Sequence, residues 1–234
     1  MKKLLKLYSF IIIVMLSFES FPVYANASGE TNITVVLDVS EDDSEYDEIN
    51  EYLIKHGQEI LNNKQRSSSI TLSGIKRLVQ SDPRWSNVIM QTCQKTIGAS
   101  GCTLTSFTMV RNLLSGTNDT PADINNKLGN AACPFNWEIA KTAYEYTILT
   151  KVSNDNGISN ESAHLNIIGA IDEYSRPAIV GLKNSSGGTH FVVAHGYTLD
   201  GDIIICDPAA RNYTRISQYY NSGYFVYRIY VYSK

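Results

Sequence analysis

The chain has 234 residues, of which 43% are hydrophobic, 10% aromatic and 18% charged, with a formal net charge of −3. That is enough apolar material for one domain with a core, and too much for an unfolded chain. The acidic balance excludes a nucleic-acid binder held by a broad basic surface, and four cysteines are too few for a disulfide scaffold.

The opening MKKLLKLYSFIIIVMLSF joins a positive stretch (Lys2, Lys3, Lys6) to an apolar run from Leu7 to Phe18. Pro22 interrupts any helix, and Ala25-Asn26-Ala27 has the small-residue pattern that a signal peptidase cuts. The run is shorter than the ~20 apolar residues a membrane span needs. Residues 1–27 therefore read as a signal peptide cut after Ala27, or after Ala25 as second choice. The mature protein is expected outside the cell, free or at the cell wall, with no stable membrane insertion. Residues 28–70 read as an acidic arm: Ser28 to Arg66 holds ten acids and three bases, while Ser67 to Lys234 holds twelve acids and fourteen bases. The acids between Glu41 and Glu51 repel one another, so a solvated arm is the first reading. A pro-segment is the other, with Ile33 to Val39 docking on the body. Gln65 to Ser69 reads as a linker and nick site.

Residues 71–234 form the domain proper. Cys102 to Leu114 places Leu104, Phe107, Val110, Leu113 and Leu114 at helical spacing, with Gly116 as the stop. Thr120-Pro121-Ala122-Asp123 is a capping box that opens a helix to about Leu128. Further helices are expected from Asn136 to about Tyr146 and from Glu161 to Tyr174. Strands are then expected at Ala178 to Leu182, His190 to Tyr197, Ile203 to Asp207 and Tyr224 to Tyr232, separated by glycine-containing turns. Helices followed by an antiparallel meander make an α+β plan, with a cleft where the halves meet.

Cys102 follows Gly101 at the start of the strongest helix, where unpaired amides favour a thiolate. His190 begins an apolar strand and Asp207 closes the next, so both fall toward one end of an antiparallel pair. A turn at Asp200-Gly201 pairs Asp207 with Ala194, so a bulge or bend has to bring it back to His190. The acid would then orient the imidazole toward the thiol. His195 is expected to point to the opposite face in a structural role, and His56 and His164 read as surface. Attack on a carbonyl also needs an oxyanion donor beside the Cys102 amide. Among Gln80, Gln91 and Gln94, Gln80 is favoured because it opens QSDPRW, which a buried Trp85 would anchor.

Taken together, QSDPRW, TIGASGCTLTSFTMV, TPADINNKL, PAIVGL, THFVVAHGY and IIICDPA resemble the secreted relatives of the bacteriocin-processing, double-glycine-leader peptidases. These are papain-like cysteine peptidases. The resemblance covers about Leu78 to Tyr232 and implies a helical half carrying the cysteine, packed on an antiparallel sheet. It implies Cys102 as nucleophile, His190 as base, Asp207 as orienting acid and Gln80 as oxyanion donor. Neither metal nor cofactor is required. The sequence holds no transporter or nucleotide-binding region, so a leader-peptide substrate does not carry over.

If Cys102 stays free, parity allows one disulfide, and Cys93 with Cys133 is the natural pair because Cys206 lies in an apolar strand. The competing reading pairs Cys102 with one of the others. The expected protein is a monomeric peptidase with a peptide or protein substrate and no nucleic-acid partner. An amidase or acyl-transferase acting on cell-wall peptide would use the same residues. A non-catalytic binder would instead use the tyrosines between Tyr219 and Tyr232, which read more readily as sheet core or sheet face.

Overall fold

The computed structural model describes residues 46–63, 68–211 and 213–234; the expected signal peptide, the run Ile33 to Val39 and most of the expected linker lie outside them. The described part opens with α1 (Asp47–Asn62). Three two-residue strands follow, β1 (Ile70–Thr71), β2 (Ile89–Met90) and β3 (Lys95–Thr96). The one-turn α2 (Ile97–Ser100) leads into α3 (Cys102–Ser115), then α4 (Pro121–Leu128) and α5 (Trp137–Ala143). Next come β4 (Thr147–Ser153), α6 (Asn160–Tyr174), β5 (Ala178–Asn184) and β6 (Thr189–Tyr197). The last elements are β7 (Ile203–Cys206), α7 (Ser217–Tyr220) and β8 (Tyr224–Ser233).

Local chemistry sets most of the boundaries. Leu104, Phe107 and Val110 form the buried stripe of α3, and Gly116 ends that helix in the left-handed region at φ 65°. Thr120 and Asp123 close the capping box of α4, with Pro121 at its first position. Asn136 caps α5 and Ser159 caps α6 through side-chain oxygens. Helix α5 stops at Ala143 rather than near Tyr146, because Glu145 turns the chain at φ 56° and Thr147 starts β4. That strand has no counterpart in the sequence reading.

The α+β architecture is as expected, but the sheet is not a meander. Its order is β1-β6-β5-β8-β4, with β7 added beside β6 and all pairs antiparallel. Strand β8 crosses back to lie between β5 and β4 instead of extending from β7. Its run from Ile229 to Tyr232 is buried on both faces, and a strand so apolar is satisfied only in the middle of a sheet. One sheet face packs against α3, α4 and α5, and the other against α1 and α6. Four of the six tyrosines from Tyr219 to Tyr232 are core: Tyr219, Tyr227, Tyr230 and Tyr232 are buried, Tyr220 and Tyr224 half-buried, and Tyr230 stacks on Trp137 at 3.9 Å between ring centres. No helix among the described residues is long and apolar enough to cross a membrane.

The acidic stretch also departs from its reading as a solvated arm. From Asp47 onward it packs as α1 against α6, and Leu53 is fully buried. The acids Asp47 and Glu48 sit in the first turn, where the helix dipole favours them. The two helices approach through a reciprocal pair of glycines. A Cβ on Gly57 would lie 2.2 Å from the Leu165 carbonyl oxygen, and one on Gly169 2.2 Å from that of Leu53. Asn50 ties the helix down further: its Nδ2 donates to the Lys151 carbonyl at 2.9 Å, and its Oδ1 accepts from Asn166 Nδ2 at 3.1 Å and from the Thr150 hydroxyl. Net repulsion among exposed acids is a small, screened term, and one apolar face with a few buried polar contacts outweighs it.

Candidate active site

Cys102 is the first residue of α3. Gly101 before it has to be small, since a Cβ there would stand 2.5 Å from the Ile97 carbonyl oxygen. The thiol therefore sits over amides that have no partner within the helix. Cys102 is free, as is Cys206, while Cys93 and Cys133 are joined by a disulfide with Cα atoms 5.6 Å apart. The pairing that parity favoured is the one present.

His190 is the second residue of β6, and Asp207 directly follows β7. The gap expected between them is closed by a bulge. The β6–β7 register runs Tyr197 with Ile203 and Gly196 with Ile204, then shifts so that Ala194 meets Ile205 and Val193 meets Cys206. Without the shift, Asp207 would fall opposite Val193, on the face away from His190. With it, Asp207 continues opposite Val192, which shares a face with His190, and the two become diagonal neighbours. His195 is the extra residue of the bulge. Its backbone carbonyl accepts from the Leu72 N–H at 2.7 Å, which ties the bulge to the segment after β1.

The resulting contacts are direct. His190 Nε2 lies 2.8 Å from Asp207 Oδ1, with His190 nearly buried and Asp207 completely so. The other ring nitrogen is left for Cys102, and thiol and imidazole shift each other's pKa, the thiol downward and the imidazole upward. Burial opposes ionisation of Cys102, but the His190 hydrogen bond and charge, the Phe191 backbone and the Thr103 side chain together hold its pKa below the ordinary thiol value. Burial likewise opposes a charged His190, yet Asp207 and Cys102 outweigh it and raise its pKa to about 9. Asp207 is pushed up by burial and pulled down further by hydrogen bonds from His190, Tyr219 and the Ala209 N–H, so it stays ionised. Cys206 differs: its Sγ lies 3.6 Å from Met109 Sδ, and burial drives its pKa up to about 11.

Gln80 joins the two loops that carry this chemistry. Its Nε2 donates to the Gly98 carbonyl at 3.0 Å, in the turn that leads to Cys102, and its N–H donates to the Pro208 carbonyl at 2.9 Å. One amide hydrogen of Nε2 is left over. Trp85 is buried, as its anchoring role requires, and its Nε1 donates to the Val79 carbonyl at 2.9 Å. Gln91 and Gln94 are exposed. His56 faces Asp172 at 3.3 Å, and His164, expected at the surface, is half-buried with Nε2 3.1 Å from the Tyr220 hydroxyl.

Two further residues were not legible in the sequence. The Tyr219 hydroxyl donates to Asp207 Oδ2 at 2.7 Å, and its ring lies 5.4 Å from that of His190. Arg77 Nε donates to the Asp207 carbonyl at 2.7 Å, and its Nη2 donates to the Ala209 carbonyl. The one signal available for Tyr219 was its place in a tyrosine cluster shortly after the acid. Tyr219→Phe leaves Oδ2 buried without a donor, a change expected to cost about 1–3 kcal/mol. Thermal unfolding at neutral pH should show the loss. Among the described residues no group of three or more His, Cys, Asp or Glu side chains is arranged to hold a metal.

The Peptidase_C39 like family matches residues 72–233. The chain belongs to that family. No curated protein and no solved structure matches it. Membership supports a peptidase of the cysteine type on a papain-like α+β fold. The family match begins just after β1, so α1 packs on the Peptidase_C39 like domain from outside the matched residues.

Proposed function

We propose that this protein is an exported cysteine peptidase that hydrolyses peptide bonds with Cys102 as nucleophile, His190 as general acid and base, Asp207 as the orienting acid and Gln80 as an oxyanion donor. The observation that carries the reading is the 2.8 Å bond from His190 Nε2 to Asp207 Oδ1, which leaves the opposite ring nitrogen to the Cys102 thiol at a helix N-terminus. The signal-like residues 1–27 support action outside the cell.

The resting pair is a thiolate and an imidazolium. The Cys102 sulfur attacks the carbonyl carbon and the C=O π electrons move to oxygen. The oxyanion takes hydrogen bonds from the Cys102 amide and the spare Gln80 hydrogen. As the tetrahedral intermediate collapses, the C–N bond breaks and His190 gives its proton to the leaving amine. The now neutral His190 takes a proton from water, the hydroxide attacks the thioester, and the C–S bond breaks to return Cys102 to the thiolate and release the acid. Asp207 keeps its charge throughout and fixes the ring.

Labelling with iodoacetamide tests the reading without a substrate. At pH 7 one thiol, Cys102, should react fast, because its pKa is depressed and alkylation needs the thiolate. Cys206 should stay unlabelled in the folded protein, because burial raises its pKa. Hydrolysis of an unfolded protein should then follow a bell in pH. It rises below the ordinary thiol range as Cys102 ionises and falls near pH 9 as His190 loses the proton the leaving amine needs. Uniformly slow labelling would remove the nucleophile. Cleavage of a muropeptide and not of an unfolded protein would replace the peptidase with a cell-wall amidase on the same residues.

A further inference from the structure

Arg228 of β8 pairs across from Gly181 of β5, and Gly181 pairs in turn with Phe191, the neighbour of His190. The β5–β8 register shifts at this point, and Tyr227 and Arg228 both crowd the bare glycine. A Cβ on Gly181 would stand 2.9 Å from the Phe191 and Tyr227 rings and 3.1 Å from Arg228 Cβ. The Phe191 and Tyr227 rings meet edge-on at 6.0 Å between centres. The Arg228 guanidinium stands 5.2 Å from the centre of the Tyr227 ring, and Lys183 Nζ 5.8 Å from it. The path back to the nucleophile is short, since the Phe191 carbonyl accepts from the Ser106 hydroxyl at 3.1 Å, one turn along α3 from Cys102. The Tyr227 phenol, raised mainly by burial, also feels the charges of Arg228, Cys102 and Asp155.

Charge at this spot is unbalanced. Lys183 Nζ has Asp155, with its carboxylate at 3.9 Å and its carbonyl at 3.3 Å. Arg228 makes no ion pair among the described residues; its Nε is buried with no acceptor, while the residue as a whole is only half-buried. A buried donor without a partner costs free energy, and a guanidinium fork is shaped to take two oxygens of a carboxylate. We propose that Arg228, with Tyr227 beneath it and Lys183 beside it, forms a subsite that takes a carboxylate of the peptide substrate close to the bond Cys102 attacks. The inference rests on the hydrolytic reading above. The carboxylate belongs either to an acidic side chain or to the end of a chain.

Protection of Cys102 from iodoacetamide tests this. Short peptides carrying Glu or Gln, each with a free or an amidated C-terminus, are compared as protectants. A carboxylate-bearing peptide should protect at roughly 10- to 100-fold lower concentration than its neutral isostere. In Arg228→Gln that ratio should fall to about one, and Arg228→Lys, which keeps the charge and loses the fork, should retain part of it. Protection by amidated Glu peptides assigns the side chain; protection only by free C-termini assigns the chain end. Equal protection by charged and neutral peptides, or a preference that survives in Arg228→Gln, overturns the subsite. Labelling needs no turnover, so peptides that protect Cys102 but are never cut would sink the hydrolytic reading and leave the subsite standing.

Discussion

Cys102→Ala should lower hydrolysis of an unfolded protein by roughly 10³- to 10⁶-fold, the range expected when a covalent nucleophile is deleted. The fold should survive. The side chain is only partly buried, and its loss removes one sulfur next to the core cluster without stranding a buried carboxylate. The substitution also acts on His190. Part of what lifts that imidazole to about 9 is the Cys102 sulfur, so in the variant its pKa should fall, with Asp207 as the remaining support. Following the His190 ring by NMR titration alongside the activity assay separates an intact, unarmed site from a collapsed one. Retention of a tenth or more of the wild-type rate would mean that another group attacks. Cys102→Ser should be comparably inactive, because a hydroxyl is far harder to ionise than a thiol beside the same imidazole.

Removing residues 1–67 should destabilise the protein rather than activate it. The cut takes away α1, whose Leu53 is fully buried against α6 and whose Asn50 joins α1 to β4 and α6. Burying one such leucine is worth about 1.5–3 kcal/mol, and stranding the partners of Asn50 costs about 1–3 kcal/mol more. A loss of this size is a large share of the 5–15 kcal/mol typical of a domain. For a chain of this length it corresponds to a fall in Tm of roughly 10 °C or more. A removable inhibitory arm predicts the opposite, an unchanged Tm and a gain in activity. A single substitution tests the same contact. In an exposed helix Gly→Ala stabilises by about 1 kcal/mol, but Gly57→Ala places its methyl carbon 2.2 Å from the Leu165 carbonyl oxygen, so the sign should reverse.

Much of the site was legible because it is written in local rules. A cysteine after glycine at the head of an apolar helical stripe, a histidine at a strand mouth and an acid at the next strand's end each follow from a few neighbouring residues. So do the capping box at Thr120, the stop at Gly116 and the anchoring of Gln80 by Trp85. What lay beyond those rules depends on segments far apart in the chain. Whether Asp207 faces His190 is decided by one extra residue at His195, and a one-residue slip moves a side chain to the other face of the sheet. Tyr219 reaches the acid only because the segment before α7 bridges back to β7, Arg215 opposite Ile204, and β8 becomes central only by pairing with two strands. The acids from Glu41 to Glu51 read as repulsion until α6 supplies the surface against which the apolar face of α1 packs through Gly57 and Gly169. Steric and capping preferences act over one turn or one pleat and can be read residue by residue. Strand register, facing and helix docking are settled by which distant surfaces fit, and nothing within a few residues of His195 or Asn50 states that fit.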